Sequence, residues 1–241
     1  PWVNPPFAEE VSGYNSFAGN LPASLEAAKL RLLTEQIAAS FGAPPLIYRA
    51  GRYGIGPATL ETLAALGYRV DSSMRAAYDY SAEGGPDFSV VPNHAFRTGG
   101  LVELPLTTVF TGIARRGGAG LHATLGRLPR GKGVAARLHL LNRVALSPED
   151  MPLAEALEAV RIAVGEGVRL LNFSFHSPSL EPGHTPYVRD AGDLRIFFAW
   201  WEAMLVELGR LGVAPASLAE IVHAACATPV RSARADAAGG L

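Results

Sequence analysis

The sequence predicts an α/β protein in which parallel strands are connected by helices. Two short apolar runs, at 46–48 and 68–70, each end in polar residues, and a helical segment with glycine after it separates them. A parallel pair needs a connection of a dozen or more residues, whereas an antiparallel pair can close in two. Two strand–helix units of about twenty residues each therefore favour a parallel sheet.

Length and charge limit the classes of function. With 241 residues the chain can bury one sizeable core, so we expect one domain over residues 1–226 and a disordered tail over 227–241. The formal net charge is -1 and no run of Lys or Arg occurs, which argues against nucleic acid or an anionic membrane as partner. The apolar segment 194–213 carries four charged residues and predicts a buried helix, so we expect no membrane span.

The amino-terminal third has clear helix boundaries. We expect Ser24 to cap a helix over 25–41 with one leucine-rich face, and Gly42 to end it. A strand at 46–48, a glycine-punctuated loop at 49–56 and a helix over 57–66 follow, and a second strand covers 68–70.

The middle of the chain is patterned less clearly. Residues 74–100 show no periodicity and predict a long loop, after which residues 101–105 form a strand. We expect helices over 134–144 and 153–164, the second opened by the sequence Ser-Pro-Glu-Asp at 147–150. The apolar run 170–175 then predicts a strand that leads to His176.

The last segments are predicted as helix, short strand and helix. The long helix starts at Asp193 and ends at Gly212, residues 213–214 form a strand, and Ser217 caps a helix to Ala225.

Three predicted strand ends carry polar groups: Arg49, Asp71 and His176. Parallel strands place such residues around one mouth, where a carboxylate can hold an imidazole in one tautomer and make it a general acid. Two structural alternatives stay open. Arg49 and Asp71 could form an ion pair or cap helices, and His176 could only complete a turn.

The order of these motifs resembles the polysaccharide deacetylase family of carbohydrate esterases, also called the NodB-like homology domain. The likeness covers most of the chain. It consists of the segments 48–54 (YRAGRYG), 70–73 (VDSS), 103–105 (ELP) and 173–177 (FSFHS), followed by 179–183 (SLEPG).

The resemblance implies a fold, a cofactor and an activity. The fold is an irregular (β/α) barrel with fewer than eight units, whose first strand or strands are missing from this chain. The cofactor is one divalent metal, zinc or similar, and its ligands, like the catalytic aspartate, are expected outside this sequence. The activity is removal of acetyl groups from amino sugars of a cell-wall or surface polysaccharide.

The resemblance also assigns roles to residues. Arg49 corresponds to the arginine that orients the aspartate base, Asp71 to the acid that tunes the histidine, and His176 to the histidine that protonates the leaving amine. A backbone amide of the arginine loop serves the family as oxyanion donor. We further assign substrate contacts to four residues near Arg49 and His176, namely Arg52, Tyr53, Ser177 and His184.

The sequence departs from the family pattern at two places. Gly51 and Arg52 stand where the family has proline and an aromatic residue, and Ser174 stands where a leucine usually lines the acetyl pocket. A second hypothesis is therefore a non-catalytic carbohydrate-binding barrel that has lost its metal site. The other histidines have no acid or histidine at ligand spacing and are expected at structural positions: His94, His122, His139 and His223.

Overall fold

The computed structural model describes residues 4–227. The chain forms two compact units, and each is made of separate chain segments. Unit 1 takes the chain up to Ser73, Ala95–Leu104 and the part from Ala216 onward; unit 2 takes Met74–His94 and Pro105–Pro215. The tail predicted over 227–241 lies outside the described residues, apart from Ala227.

The described part of the chain contains seven α-helices and eight short strands. The helices are α1 (Ala23–Phe41), α2 (Thr59–Ala65), α3 (Gly118–Gly126), α4 (Gly131–Arg137), α5 (Leu153–Gly165), α6 (Ala191–Arg210) and α7 (Leu218–Ala227). The strands are β1 (Ile47–Tyr48), β2 (Val70–Asp71), β3 (Tyr78–Asp79), β4 (Asp87–Phe88), β5 (Phe96–Thr98), β6 (Leu101–Glu103), β7 (Thr108–Thr111) and β8 (Asn142–Ala145).

Unit 1 is built on a four-stranded sheet in the order β1-β2-β6-β5. β1, β2 and β6 are parallel, as the strand–helix spacing predicts, and β5 joins the edge as the antiparallel partner of β6. Leu30, Leu63, Tyr68 and Leu101 form one apolar cluster of this unit. This packing fixes the strands whose carboxyl ends carry the candidate site residues.

Helix α1 ends at Phe41 as predicted, but it begins at Ala23, two residues earlier than predicted, and it buries a different face. Its buried residues are Glu26, Lys29, Leu30 and Thr34, whereas Leu32 and Leu33 are exposed. The polar groups are buried with partners, because Glu26 accepts a hydrogen bond from Thr59 Oγ1 and Lys29 Nζ donates to the Asn4 carbonyl. Leu32 and Leu33 of the predicted leucine-rich face are thus exposed, and the predicted Ser24 cap was wrong, since Pro22 precedes the first helical residue.

Unit 2 combines the antiparallel pair β7–β8 with α5 and α6. Its largest core cluster includes Val144, Ala159, Val160, Trp200 and Met204. Small residues on α5 allow the helix to lie close to its neighbours, because alanine adds little side-chain volume. The core therefore supports the loop between β8 and α5, where Glu149 lies.

Several predictions for unit 2 need correction, among them the strand at 213–214, which does not form. Residues 142–145 form β8 rather than the end of a helix, because they pair with β7, and the helix ends at Arg137. Residues 74–94 contain the hairpin β3–β4 rather than only a loop. Residues 170–175 form no regular strand.

Within residues 4–227 the strands form three separate sheets, and no closed barrel is present. The architecture is mixed α/β, as the sequence predicts. No described helix is long and apolar enough to cross a membrane.

Candidate functional site

The carboxyl ends of three parallel strands bring polar residues to one edge of the unit 1 sheet. Tyr48 pairs with Asp71, and Asp71 pairs with Glu103, so the residues that follow each strand lie side by side. Ligands of α/β proteins bind at such edges. Arg49 and Asp71 therefore share the edge that the sequence predicts for them.

Two serines after β2 tie the Arg49 loop to this edge. Arg49 donates from Nε to the Ser72 carbonyl at 3.1 Å and from Nη2 to Ser72 Oγ at 3.0 Å. The amide of Ala50 donates to Ser73 Oγ at 2.9 Å, and Ser73 Oγ donates to Asp71 Oδ1 at 2.6 Å. The guanidinium is thus held by a serine, while Asp71 is linked through Ser73 to the backbone beside Arg49.

Asp71 and Glu103 form a buried pair of carboxyl groups. Both residues are fully buried, and their side chains share a hydrogen bond. Burial raises the pKa of Asp71, and the hydrogen bonds from Glu103 and Ser73 oppose that rise. A proton shared between two carboxyl groups stabilises such a contact, and the raised pKa of Asp71 favours it.

The arginine loop is a 3₁₀ turn over Gly51–Tyr53 with two residues in the left-handed region. Arg52 has φ 54° and Tyr53 has φ 60°. The Arg52 side chain is exposed, and it donates to Ser16 Oγ and lies 4.3 Å above the ring of Phe17. These contacts hold the Arg52 side chain against Ser16 and Phe17. Tyr53, the next residue, is partly buried.

Three amides of this loop already have acceptors. Those of Ala50, Tyr53 and Gly54 donate to Ser73 Oγ, the Ala50 carbonyl and the Gly51 carbonyl. Gly54 is required by space, because a Cβ there would lie 2.8 Å from Phe17 Cα. In this conformation none of the three amides is available as an oxyanion donor.

His176 lies in unit 2, directly after the segment 170–175. Asn172 exchanges hydrogen bonds with Thr107, and two residues later the amide of Ser174 donates to the Leu146 carbonyl. Because successive residues bond to different segments, no continuous ladder forms, which is why residues 170–175 are not a strand. Phe173 and Phe175 anchor the segment against Trp201, with ring centroids 5.6 and 5.7 Å apart.

The partner of His176 is Glu149. Glu149 Oε2 lies 2.7 Å from His176 Nδ1. Glu149 Oε1 accepts hydrogen bonds from the His176 amide at 2.9 Å and from Ser179 Oγ at 2.5 Å. The Glu149 side chain is 3% exposed, whereas that of His176 is 65% exposed. A buried carboxylate thus holds an imidazole whose remaining surface faces solvent, which suits a proton-transfer group.

The loop after His176 folds back onto the imidazole. Tyr187 stacks on His176 with a centroid distance of 5.8 Å and an interplanar angle of 13°. Ser177 is exposed at the start of the 3₁₀ turn Ser177–Leu180, and His184 is exposed further along the loop. Ser177 and Tyr187 are therefore exposed beside His176, and His184 is exposed in the same loop.

The sequence did not indicate Glu149, Glu103 or Tyr187 as site residues. Glu149 belongs to the sequence that opens α5 and has the composition of an ordinary helix start, where Ser147 Oγ accepts its amide. Asp71, to which the resemblance assigns the tuning of the histidine, contacts Ser73 and Glu103. That assignment stays a prediction.

Three of the four remaining histidines are exposed, and the fourth packs on an aromatic ring. His94, His139 and His223 are exposed, and His122 packs on Phe110 with a centroid distance of 5.8 Å. Burial, with the nearby Arg143 and Lys132, lowers the pKa of His122 to about 4. Among residues 4–227 no group of three or more His, Cys, Asp or Glu side chains could hold a metal ion.

Comparison of the chain with protein-family models, with curated proteins and with solved structures finds no match in any of the three. The fold and the site thus define a mixed α/β protein with a carboxylate–histidine dyad in one unit and a carboxyl pair beside an arginine in the other.

Proposed function

We propose that this chain is part of a hydrolase that removes acetyl groups from amino sugars of a cell-wall or surface polysaccharide. The observation that carries the proposal is the exposed imidazole of His176 on the buried carboxylate of Glu149. The motif order around Arg49, Asp71 and His176 adds the resemblance to polysaccharide deacetylases. The corresponding fold would be an irregular (β/α) barrel with fewer than eight units. The mixed α/β elements of this chain would form part of that barrel.

His176 has a defined task in this reaction. When the amide of an N-acetyl sugar is cleaved, the departing nitrogen must gain a proton, and a positioned imidazolium can supply it in the transition state. Nδ1 is occupied by Glu149, so Nε2 is the nitrogen that gives the proton. Exposed neighbours could bind the sugar, namely Ser177, His184 and Tyr187.

The divalent metal, zinc or similar, that the resemblance implies has its expected ligands outside this sequence. The described part of the chain brings together no three ligand residues. We therefore assign no step of the reaction to a metal within this chain. The resemblance assigns orienting and tuning roles to Arg49 and Asp71, which Ser72 and Ser73 fix within unit 1.

The proposal predicts different effects for two histidines of one loop. In the longer protein that the proposal requires, His176→Ala should lower kcat by roughly 10²–10⁴-fold, because a general acid acts in the transition state. His184→Ala should mainly raise KM, since its side chain is exposed and would contact only the sugar. Acetate release from chitin oligomers and acetylated peptidoglycan fragments measures both effects.

His94→Ala is the matched control, because His94 is also exposed and belongs neither to the loop of His176 and His184 nor to the residues around Arg49. Equal losses in the His176 and His184 variants, or a near-normal kcat without His176, would remove His176 from the mechanism. Sugar binding without acetate release by the wild-type protein would favour the second hypothesis, a carbohydrate-binding barrel without a metal site.

A further inference from the structure

Glu149 has three hydrogen-bond contacts that leave it little freedom. Oε1 accepts hydrogen bonds from the backbone amide of His176 and the hydroxyl of Ser179, and Oε2 lies 2.7 Å from Nδ1 of His176. A backbone amide can only donate, so the position of Oε1 is set by the chain itself. The second oxygen then meets the imidazole in a single orientation.

A chain of hydroxyl groups directs further hydrogen bonds toward this carboxylate. The amide of Val188 donates to Thr185 Oγ1 at 3.3 Å, and Thr185 Oγ1 lies 3.0 Å from Ser179 Oγ. Because the Ser179 hydrogen goes to Glu149, Thr185 is the donor to Ser179. Each hydrogen bond in the series Val188–Thr185–Ser179 thus donates in the direction of Glu149, as expected around a negative charge.

We propose that Glu149 is a positioning residue that holds His176 in the Nδ1–H tautomer and presents Nε2 to the substrate. An ionised carboxylate has no hydrogen to donate, so Nδ1 must carry one. Tyr187 restricts the ring from its face, stacked nearly parallel to it. The inference rests on the proposed function for the identity of the substrate, but the tautomer is a property of the chain alone.

Glu149→Gln tests the proposal because glutamine has one acceptor and one donor group. The His176 amide and Ser179 both require an acceptor where Oε1 lies, so the glutamine oxygen must take that place. Its NH₂ group then faces Nδ1, which must become an acceptor. The variant should therefore move the ring hydrogen to Nε2 while leaving the ring in place.

The experiment is nitrogen NMR of the chain labelled with ¹⁵N-histidine, at alkaline pH where the imidazoles are neutral. In the wild type, Nδ1 of His176 should give the signal of a protonated ring nitrogen and Nε2 that of an unprotonated one. In Glu149→Gln the two should exchange. Asp150→Asn is the matched control, because it removes a neighbouring carboxylate that pairs with Arg75, and it should leave the signals unchanged.

The wild-type spectrum decides the proposal even if the glutamine variant fails to fold. An Nε2–H tautomer in the wild type, or an unchanged tautomer in a folded Glu149→Gln, would overturn it. In the longer protein Glu149→Gln should also lower kcat by at least about tenfold with little change in KM. If no acetate is released by the wild type while the Nδ1–H tautomer is present, the proposed function fails and the positioning role remains.

Discussion

Two buried carboxylates of this protein differ in what surrounds them. Glu149 faces only donors, one of which is an imidazole, whereas Asp71 faces a second carboxyl group, that of Glu103. The first arrangement holds an imidazole in place, and in the second, burial raises the pKa of Asp71. At the scale of single residues, the neighbours decide the role of a carboxylate, so residue type alone cannot identify the partner of His176.

The carboxyl pair predicts a dependence of stability on pH. Burial raises the pKa of Asp71, so the folded protein retains a proton that the unfolded chain loses at the ordinary aspartate pKa. The stabilisation is complete below that unfolded pKa and is lost as the pH rises through the higher folded value. Each retained proton contributes a slope of up to about 1.4 kcal/mol per pH unit to the free energy of unfolding.

Asp71→Asn should flatten this slope, because the amide stays neutral at every pH and still offers an oxygen to Ser73. Urea unfolding at a series of pH values measures it. Asp79→Asn is the control: Asp79 is exposed and its pKa is lowered, first by the Ser81 side chain, so its contribution has the opposite sign. If the Asp71→Asn variant keeps the wild-type slope of unfolding free energy against pH, other groups cause the pH dependence.

At the scale of elements, sequence patterns located the helices better than the faces they bury. The ends of α5 and the capping of α7 by Ser217, whose Oγ accepts the Glu220 amide, agree with the prediction. The leucine pattern did not predict the buried face of α1, because that helix buries Glu26 and Lys29 with partners far away in sequence. A hydrophobic pattern contains no information on such distant partners.

Helix α6 provides a prediction about capping. Asp190 accepts hydrogen bonds from the amides of Gly192 and Asp193 at 2.7 and 2.9 Å. Asp190→Ala leaves these amides without the carboxylate and should lower the free energy of unfolding by about 1 kcal/mol.

Urea unfolding followed by circular dichroism measures this loss. Glu202→Ala, an exposed change within the same helix, is the control and should stay within about 0.5 kcal/mol of the wild type. Equal effects of the two changes would show that the cap does not stabilise α6.

At the scale of the whole molecule, the sequence indicated the parallel strands and the edge that carries Arg49 and Asp71. It did not indicate the division into two units, because each unit is assembled from separate segments. It also missed Glu149, which lies 27 residues before His176 and looks like a helix start. Local patterns identify elements, but contacts between distant residues arise only when the chain folds.

Segments of unit 1 and unit 2 alternate along the chain, and this order predicts that the two units unfold together. The chain passes between them after Ser73, His94, Leu104 and Pro215. The unit 2 segment Met74–His94 therefore has both ends fixed by strands of unit 1, and unfolding of unit 1 would release them and raise the entropic cost of keeping unit 2 folded. A change in the core of one unit should thus lower the stability of the other.

Leu63→Ala in unit 1 and Met204→Ala in unit 2 test this coupling, since both side chains are fully buried. Each should cost about 2–5 kcal/mol. In a Trp2→Phe background the fluorescence of Trp200 and Trp201 reports on unit 2, while circular dichroism reports on the whole chain. Leu63→Ala should move both urea transitions to the same lower midpoint, because loss of unit 1 destabilises unit 2. A fluorescence midpoint that Leu63→Ala leaves in place, while Met204→Ala moves it, would show that the units unfold independently.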